Sequence, residues 1–200
     1  MAVTRERFNQ GLTYQGFKDS MTQNREPFEN NERNAPTEPE DVAAFSRLSK
    51  PLDVLVIAGD WCADVIANLP ILGRLALESG KLNLRVFDRD TNEDLMSEYL
   101  NGGQFRSVPV FAFFDADWRQ LGVFTERPKS VTEFRAKKRL EIFTEHPEFG
   151  SPNAPVDQLP EETRTKLNQT IRAMRAETAP FANREVIREL RAIVEKVPVG

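Results

Sequence analysis

The chain has 200 residues, 40% hydrophobic and 29% charged, the balance of a soluble globular protein with room for one ordinary core and some elaboration. A formal net charge of −4 gives no long-range attraction to nucleic acid or anionic lipid, so neither is an expected partner. No apolar run approaches the ~18 residues of a membrane span, and the opening Met1-Ala2-Val3-Thr4-Arg5-Glu6-Arg7 leads into no signal-peptide core, which predicts a cytoplasmic chain.

Residues 1–50 are polar, with Tyr14, Phe17 and Met21, then Val42, Phe45 and Leu48, at helical intervals. They predict a helical N-terminal extension that lays a sparse apolar stripe on something else. Thr37 and Glu40, with Pro39 between them, resemble a capping box that opens the second helix, and Glu29 to Pro36 reads as a loop. After Pro51 the character changes. Leu52, Val54, Leu55, Val56, Ile57 and Ala58 form a nearly continuous apolar run, the pattern of a strand covered on both faces, which Gly59-Asp60 ends. Val65, Leu69, Leu72 and Ala76 then mark an amphipathic helix from Cys62 to Ser79, closed by Gly80 and kinked at Pro70.

Alternation of Leu82, Leu84 and Val86 predicts a second strand ending at Asp88-Arg89-Asp90. Thr91 with Asp94 reads as a helix start, and Gly102-Gly103 as its end. Val110 to Phe114 follows Ser107-Val108-Pro109 as a third strand, and Asp115-Ala116-Asp117 turns it into a fourth, Arg119 to Phe124, as an antiparallel hairpin. Ser130 and Glu133 suggest a capping box for a helix that runs to about Thr144 and stops at His146-Pro147. Gly150, Pro152, Pro155 and Pro160 are linker composition, and two amphipathic helices close the chain.

The chemistry centres on Cys62, the only cysteine. A helix start stabilises thiolate, the form that attacks disulfides and peroxides. The bland alternative is a small apolar side chain in a core. Asp60 and Asp64 flank the thiol and oppose its ionisation. Asp64 reads either as a first-turn acid favoured by the helix dipole or as a proton acceptor for an incoming thiol. Val65 stands where a second cysteine would complete a dithiol, so any disulfide joins Cys62 to another molecule. The lone His146 reads as a helix cap, the acidic turns lack ligand spacing for a metal, and the basic run Arg135, Lys137, Lys138 and Arg139 reads as a solvated face.

Trp61-Cys62 at a strand-to-helix junction, Pro70 eight residues into the helix and Val108-Pro109 before a hairpin together resemble the thioredoxin superfamily. Within it, the Trp-Cys-x-Asp pattern is most similar to poorly characterised bacterial members with a single active-site cysteine. The resemblance implies an α/β, thioredoxin-like fold: a central mixed sheet of about four strands flanked by helices, spanning 51–146, with helical extensions over 1–50 and, after a linker, 147–200. It also implies that Pro109 is cis beside Cys62, with the Val108 backbone pairing to an extended thiol substrate. Two departures stand out: Val65 replaces the resolving cysteine, and Val56 replaces the buried aspartate that the family carries six residues before the first cysteine. The expected activity is therefore monothiol disulfide exchange through Cys62, with Trp61 shielding the sulfur, Asp64 beside it, and Val108 and Pro109 holding substrate. The expectation includes no bound cofactor, glutathione or another small thiol as co-substrate, and a thiol- or disulfide-bearing protein as partner. The alternative is a redox-inactive protein-binding module whose groove lies between Trp61 and Pro109. Retention of Trp61-Cys62 favours the first reading; the valines at 56 and 65 favour the second.

Overall fold

The computed structural model describes residues 3–197 and folds the polar opening of the chain into short, individually capped pieces. Thr4 accepts from the Arg7 amide to start α1 (Arg5–Phe8), and the two-residue strand β1 (Leu12–Thr13) runs directly into α2 (Tyr14–Ser20), which Thr13 caps. Next come α3 (Arg25–Arg33) and α4 (Pro39–Ser46). The central part comprises β2 (Leu52–Ala58), α5 (Ala63–Ser79), β3 (Leu82–Asp88), α6 (Glu93–Glu98), β4 (Val110–Phe114) and β5 (Gln120–Thr125). Beyond it lie α7 (Lys129–Glu145), two short 3-10 turns, α8 (Glu161–Glu177) and α9 (Ala179–Val194).

Among the described residues the sheet has five strands in the order β1-β3-β2-β4-β5. Pairing of β2 with β3 is parallel, with β4 antiparallel, and β4 and β5 form the expected hairpin. The fifth strand, β1, pairs antiparallel to β3 through Leu12 opposite Val86 and Thr13 opposite Arg85; two residues are too few to leave a period in the sequence. Helix α5 spans the expected stretch, with Cys62 as its N-cap, Pro70 inside it and Gly80 in the left-handed conformation that ends it. No helix among the described residues is long and apolar enough to cross a membrane.

Several local expectations shift. Helix α3 occupies much of the expected loop from Glu29 to Pro36; its only buried residue is Phe28, so no apolar stripe announces it. The α4 capping box is Glu38 with Asp41, not Thr37 with Glu40, because Pro39 takes the first helical position and makes the residue before it the cap. Thr37 donates its hydroxyl to Glu78 instead. Helix α6 begins after Asn92, with Asp94 held by Arg7, and ends before Gly102 and Gly103, whose positive φ angles shape the turn that follows. Ser130 donates to Glu185 and caps nothing.

Contacts divide the chain into two compact units that differ from the 1–50, 51–146 and 147–200 partition: one reaches from the start to Arg127 and resumes at Val186, the other is Pro128–Glu185. In the first unit the N-terminal segment is knitted to the sheet. Trp118 Nε1 donates to the Val3 carbonyl at 2.6 Å, and Arg7 Nε pairs with Asp94 at 2.8 Å. The end of α9 belongs to the same core, with Ile187 and Leu190 fully buried, Ile193 against Gly122, and Arg191 Nη1 3.1 Å from the buried Asp41. The second unit has a small core of its own around Phe143, Phe149 and Leu167. There the basic run is engaged, with Lys138 near Glu141, Arg135 donating to Thr178 and Arg139 over the Phe143 ring, and His146 ends α7.

Asp41 receives the Glu38 amide as well as Arg191 and is completely buried. Its replacement by alanine removes the capping-box acceptor and one of the two carboxylates that Arg191 meets, Glu195 remaining, so Asp41→Ala is expected to cost about 1–2 kcal/mol in urea unfolding, against less than about 0.5 kcal/mol for Thr37→Ala.

Candidate functional site

Strand β2 delivers the site. Its last backbone acceptor, the Ala58 carbonyl, receives the Arg89 amide at 2.8 Å, after which Gly59-Asp60-Trp61 turns the chain so that the Cys62 amide bonds the Gly59 carbonyl at 3.1 Å. Cys62 thus stands in extended conformation as the N-cap of α5, its carbonyl accepting from Ile66 and its side chain taking no capping bond. The thiol is partly exposed and donates to the Val108 carbonyl at 3.4 Å. The peptide bond between Val108 and Pro109 is cis. Cys62, Val108 and Pro109 therefore meet, across 46 residues of sequence.

Trp61 is 41% exposed, yet its ring is held on two sides. A Cβ on Gly59 would lie 2.6 Å from the indole nitrogen, so the ring rests on the Gly59 backbone where only glycine leaves room. The Arg89 guanidinium carbon lies 4.2 Å from the ring centroid, a cation–π contact. Arg89 and Arg106 also exchange hydrogen bonds to each other's backbone carbonyls at 3.4 and 3.3 Å, tying the end of β3 to the segment that enters Val108.

The two aspartates that flank the thiol in sequence are drawn away in different directions. Asp60 accepts from the Thr22 amide at 2.7 Å, the Thr22 hydroxyl at 3.0 Å, and the Gln23 amide and side chain at 3.1 and 3.2 Å. Partial burial works to raise its pKa, but these donors outweigh it and hold the carboxyl below the usual carboxylate value. Asn24 Nδ2 donates to the Asp60 carbonyl, so the loop before Cys62 is clasped by the segment between α2 and α3. Asp64 turns inward, is 6% exposed, and is ion-paired with Arg127. Arg127 also meets Glu126, a non-glycine residue at a φ of 60°. That conformation is overdetermined: the Glu126 amide donates to Pro109 at 2.7 Å, its carbonyl accepts from Asn68 at 2.8 Å, and its carboxylate accepts from Asn101 at 3.2 Å.

Val65 and Val56 are fully buried, so the places of the resolving cysteine and the strand aspartate are filled by packed apolar side chains. Among the described residues no cluster of three His, Cys, Asp or Glu side chains stands ready for a metal. Sequence reasoning did not find Arg89, Glu126 or Arg127. Arg89 had a signal, since it follows the carboxyl end of a strand parallel to β2, the end at which such sheets place their ligands. Glu126 and Arg127 had only register: the hairpin that pairs Val110 with Thr125 returns the next residue to Pro109.

A family model described as Thioredoxin matches residues 11–139. Among solved structures the chain is similar to a protein of unknown function from Pseudomonas aeruginosa, with 17% identity, a TM-score of 0.65 and 98% of each chain covered. It is also similar to an HIV epitope-scaffold, with 15% identity, a TM-score of 0.61, and 96% of this chain and 98% of that one covered. At these identities the likeness is one of fold. No curated protein matches.

Two outcomes follow from the charges. The lowered pKa of Asp60 means that its contribution to stability is present above about pH 4 and is lost as pH falls through the folded-state value; Asp60→Asn should flatten the decline of unfolding free energy between about pH 5 and pH 2. Arg127→Met leaves Asp64 and Glu126 without their shared cation and is expected to destabilise by about 2–4 kcal/mol in chemical denaturation, with Asp64→Asn recovering part of the loss in the double variant.

Proposed function

This chain belongs to the thioredoxin family, and from that premise we propose that it is a monothiol thiol–disulfide oxidoreductase working through Cys62. The observation that carries the reading is the partly exposed sulfur at the start of α5, 3.4 Å from the carbonyl that precedes cis-Pro109. A helix start favours the thiolate, and a strand end beside it offers backbone groups to an extended substrate.

In the first step the Cys62 thiol loses its proton to solvent, and the thiolate attacks one sulfur of a substrate disulfide. A new sulfur–sulfur bond forms to Cys62, the old one breaks, and its electron pair leaves with the departing thiolate. With valine at position 65 no second thiol in the chain completes the exchange. An external thiol, glutathione or another small thiol, or a cysteine of a partner protein, attacks the mixed disulfide. It takes the substrate sulfur and returns Cys62 as thiolate. One disulfide is consumed and one formed, so no further oxidant or reductant is required.

The surroundings support distinct roles. Trp61, pinned by Gly59 and Arg89, shields one side of the sulfur. The Val108 carbonyl presents a backbone acceptor to the substrate strand once it displaces the thiol's own bond, with cis-Pro109 fixing the direction of that carbonyl. Asp64, offset by Arg127, sets the charge at the helix start without opposing the thiolate in full. A reducing cytoplasm would supply the resolving thiol, and the protein is placed there on this reading.

Iodoacetamide alkylation of Cys62 across pH is the test. The expected profile inflects clearly below the ~8.5 of a free cysteine, and Cys62→Ser abolishes reduction of a glutathione mixed disulfide. A slow, free-cysteine-like profile would sink the exchange chemistry and leave the redox-inactive protein-binding module.

A further inference from the structure

The edge of the sheet away from the thiol is unfinished. Strand β1 covers only Val86 and Arg85 of β3. The Leu52 amide bonds the Lys81 carbonyl and the Arg89 amide bonds the Ala58 carbonyl, which fixes the parity of β3. Residues 83, 85 and 87 turn their backbone groups to β2, and Leu82, Leu84 and Val86 turn theirs to the outer edge. Leu12 answers Val86. Opposite Leu82 and Leu84 no strand lies among the described residues, because the chain leaves the sheet at Tyr14 to begin α2.

A cleft of about 550 Å³ opens beside that edge, within the size range of ordinary ligand sites. Its walls include Tyr14, Gly73, Leu77, Leu82 and Leu84, with Arg33 on its rim. Leu77 is 74% exposed, an apolar side chain on α5 that the fold leaves uncovered. Gly73 seats the Tyr14 ring, since a Cβ there would lie 2.3 Å from the ring and hydroxyl and push them aside. Lys18 is answered by Glu32 and Arg74 by Glu78, whereas Arg33 is exposed and has no acidic partner among the described residues.

We propose that this edge is a docking site for an extended, acidic peptide, which adds a short strand antiparallel to β3 along the line a longer β1 would have taken. Its main chain pairs with the outward groups of Leu82 and Leu84, an apolar side chain enters the cleft against Leu77, and a carboxylate faces Arg33. The site lies about 16 Å along α5 from Cys62, from the rise of a helix between positions 62 and 73. It is independent of the thiol chemistry. A second copy of the chain is the less suitable occupant, since it brings the same positive rim.

The test is titration of the full-length, 15N-labelled protein with a blocked Asp-Val-Asp-Val-Asp-Val peptide and, separately, Lys-Val-Lys-Val-Lys-Val, up to millimolar concentration. Saturable amide shifts are expected at Thr13, Leu77 and Leu82 to Leu84 with the acidic peptide, and binding at least about tenfold weaker with the basic one. Leu82→Pro, which removes an outward amide at a position edge strands tolerate, should weaken binding about fivefold or more. Arg33→Glu, a change at an exposed residue whose folding is checked by an unchanged amide spectrum away from α3, should reverse the charge preference. No shift with either peptide, shifts that map elsewhere, or binding indifferent to both substitutions overturns the proposal. A dimer in the absence of peptide that Leu82→Pro abolishes would also overturn it, assigning the edge to self-association.

Discussion

Everything at the site depends on β2 being closed in on every side. Its two edges are bonded to β3 and β4, and all of its residues but Asp53 are buried. Burial of each large aliphatic side chain contributes about 1.5–3 kcal/mol relative to exposure, and the run holds five of them in Leu52, Val54, Leu55, Val56 and Ile57. A strand held this firmly leaves the sheet at one place and in one direction. The Arg89 amide marks that exit, and the turn to Cys62 follows within four residues. The position of the sulfur is thus a property of the sheet, and the loop inherits it.

Charge at the helix start is the second constraint. A carboxylate about 6 Å from a thiolate costs it about 3 kcal/mol at an effective dielectric of 20, enough to cancel what a helix terminus gives. The fold keeps Asp60 and Asp64 but satisfies each elsewhere: four donors from Thr22 and Gln23 on one, the Arg127 guanidinium on the other. One compensation comes from the N-terminal segment and the other from the residue pair after the hairpin. The site is therefore assembled from three distant parts of the chain, with Glu126 held in a left-handed conformation where the last of them arrives.

What the sequence made legible follows from the range of the forces involved. The β2 run, the α5 stripe with its Gly80 stop and the hairpin register are local patterns, and each reads directly from side-chain periodicity. Cys62, Pro70 and Pro109 were readable because their spacing repeats a known arrangement. Helix α3 left no trace, since a helix that buries one phenylalanine and holds itself by ion pairs such as Arg25 with Glu29 has no stripe to detect. The Asp64–Arg127 and Asp41–Arg191 pairs join residues 63 and 150 positions apart, and charge pairing at that range has no sequence period. For the same reason, composition placed the ends of the chain outside the central domain, whereas tertiary contacts draw them in.

The path of α9 makes the thiol-bearing unit discontinuous in sequence. Val186, Ile187, Leu190, Ile193 and Val194 belong to the core under the sheet, and Ile193 rests on Gly122 in β5. Between them and the rest of that unit runs Pro128–Glu185, which has a small core of its own. A single proteolytic nick within Pro128–Glu185 therefore cuts the thiol-bearing unit into two fragments, which stay together through the burial of Ile187 and Leu190 and the Arg191–Asp41 pair.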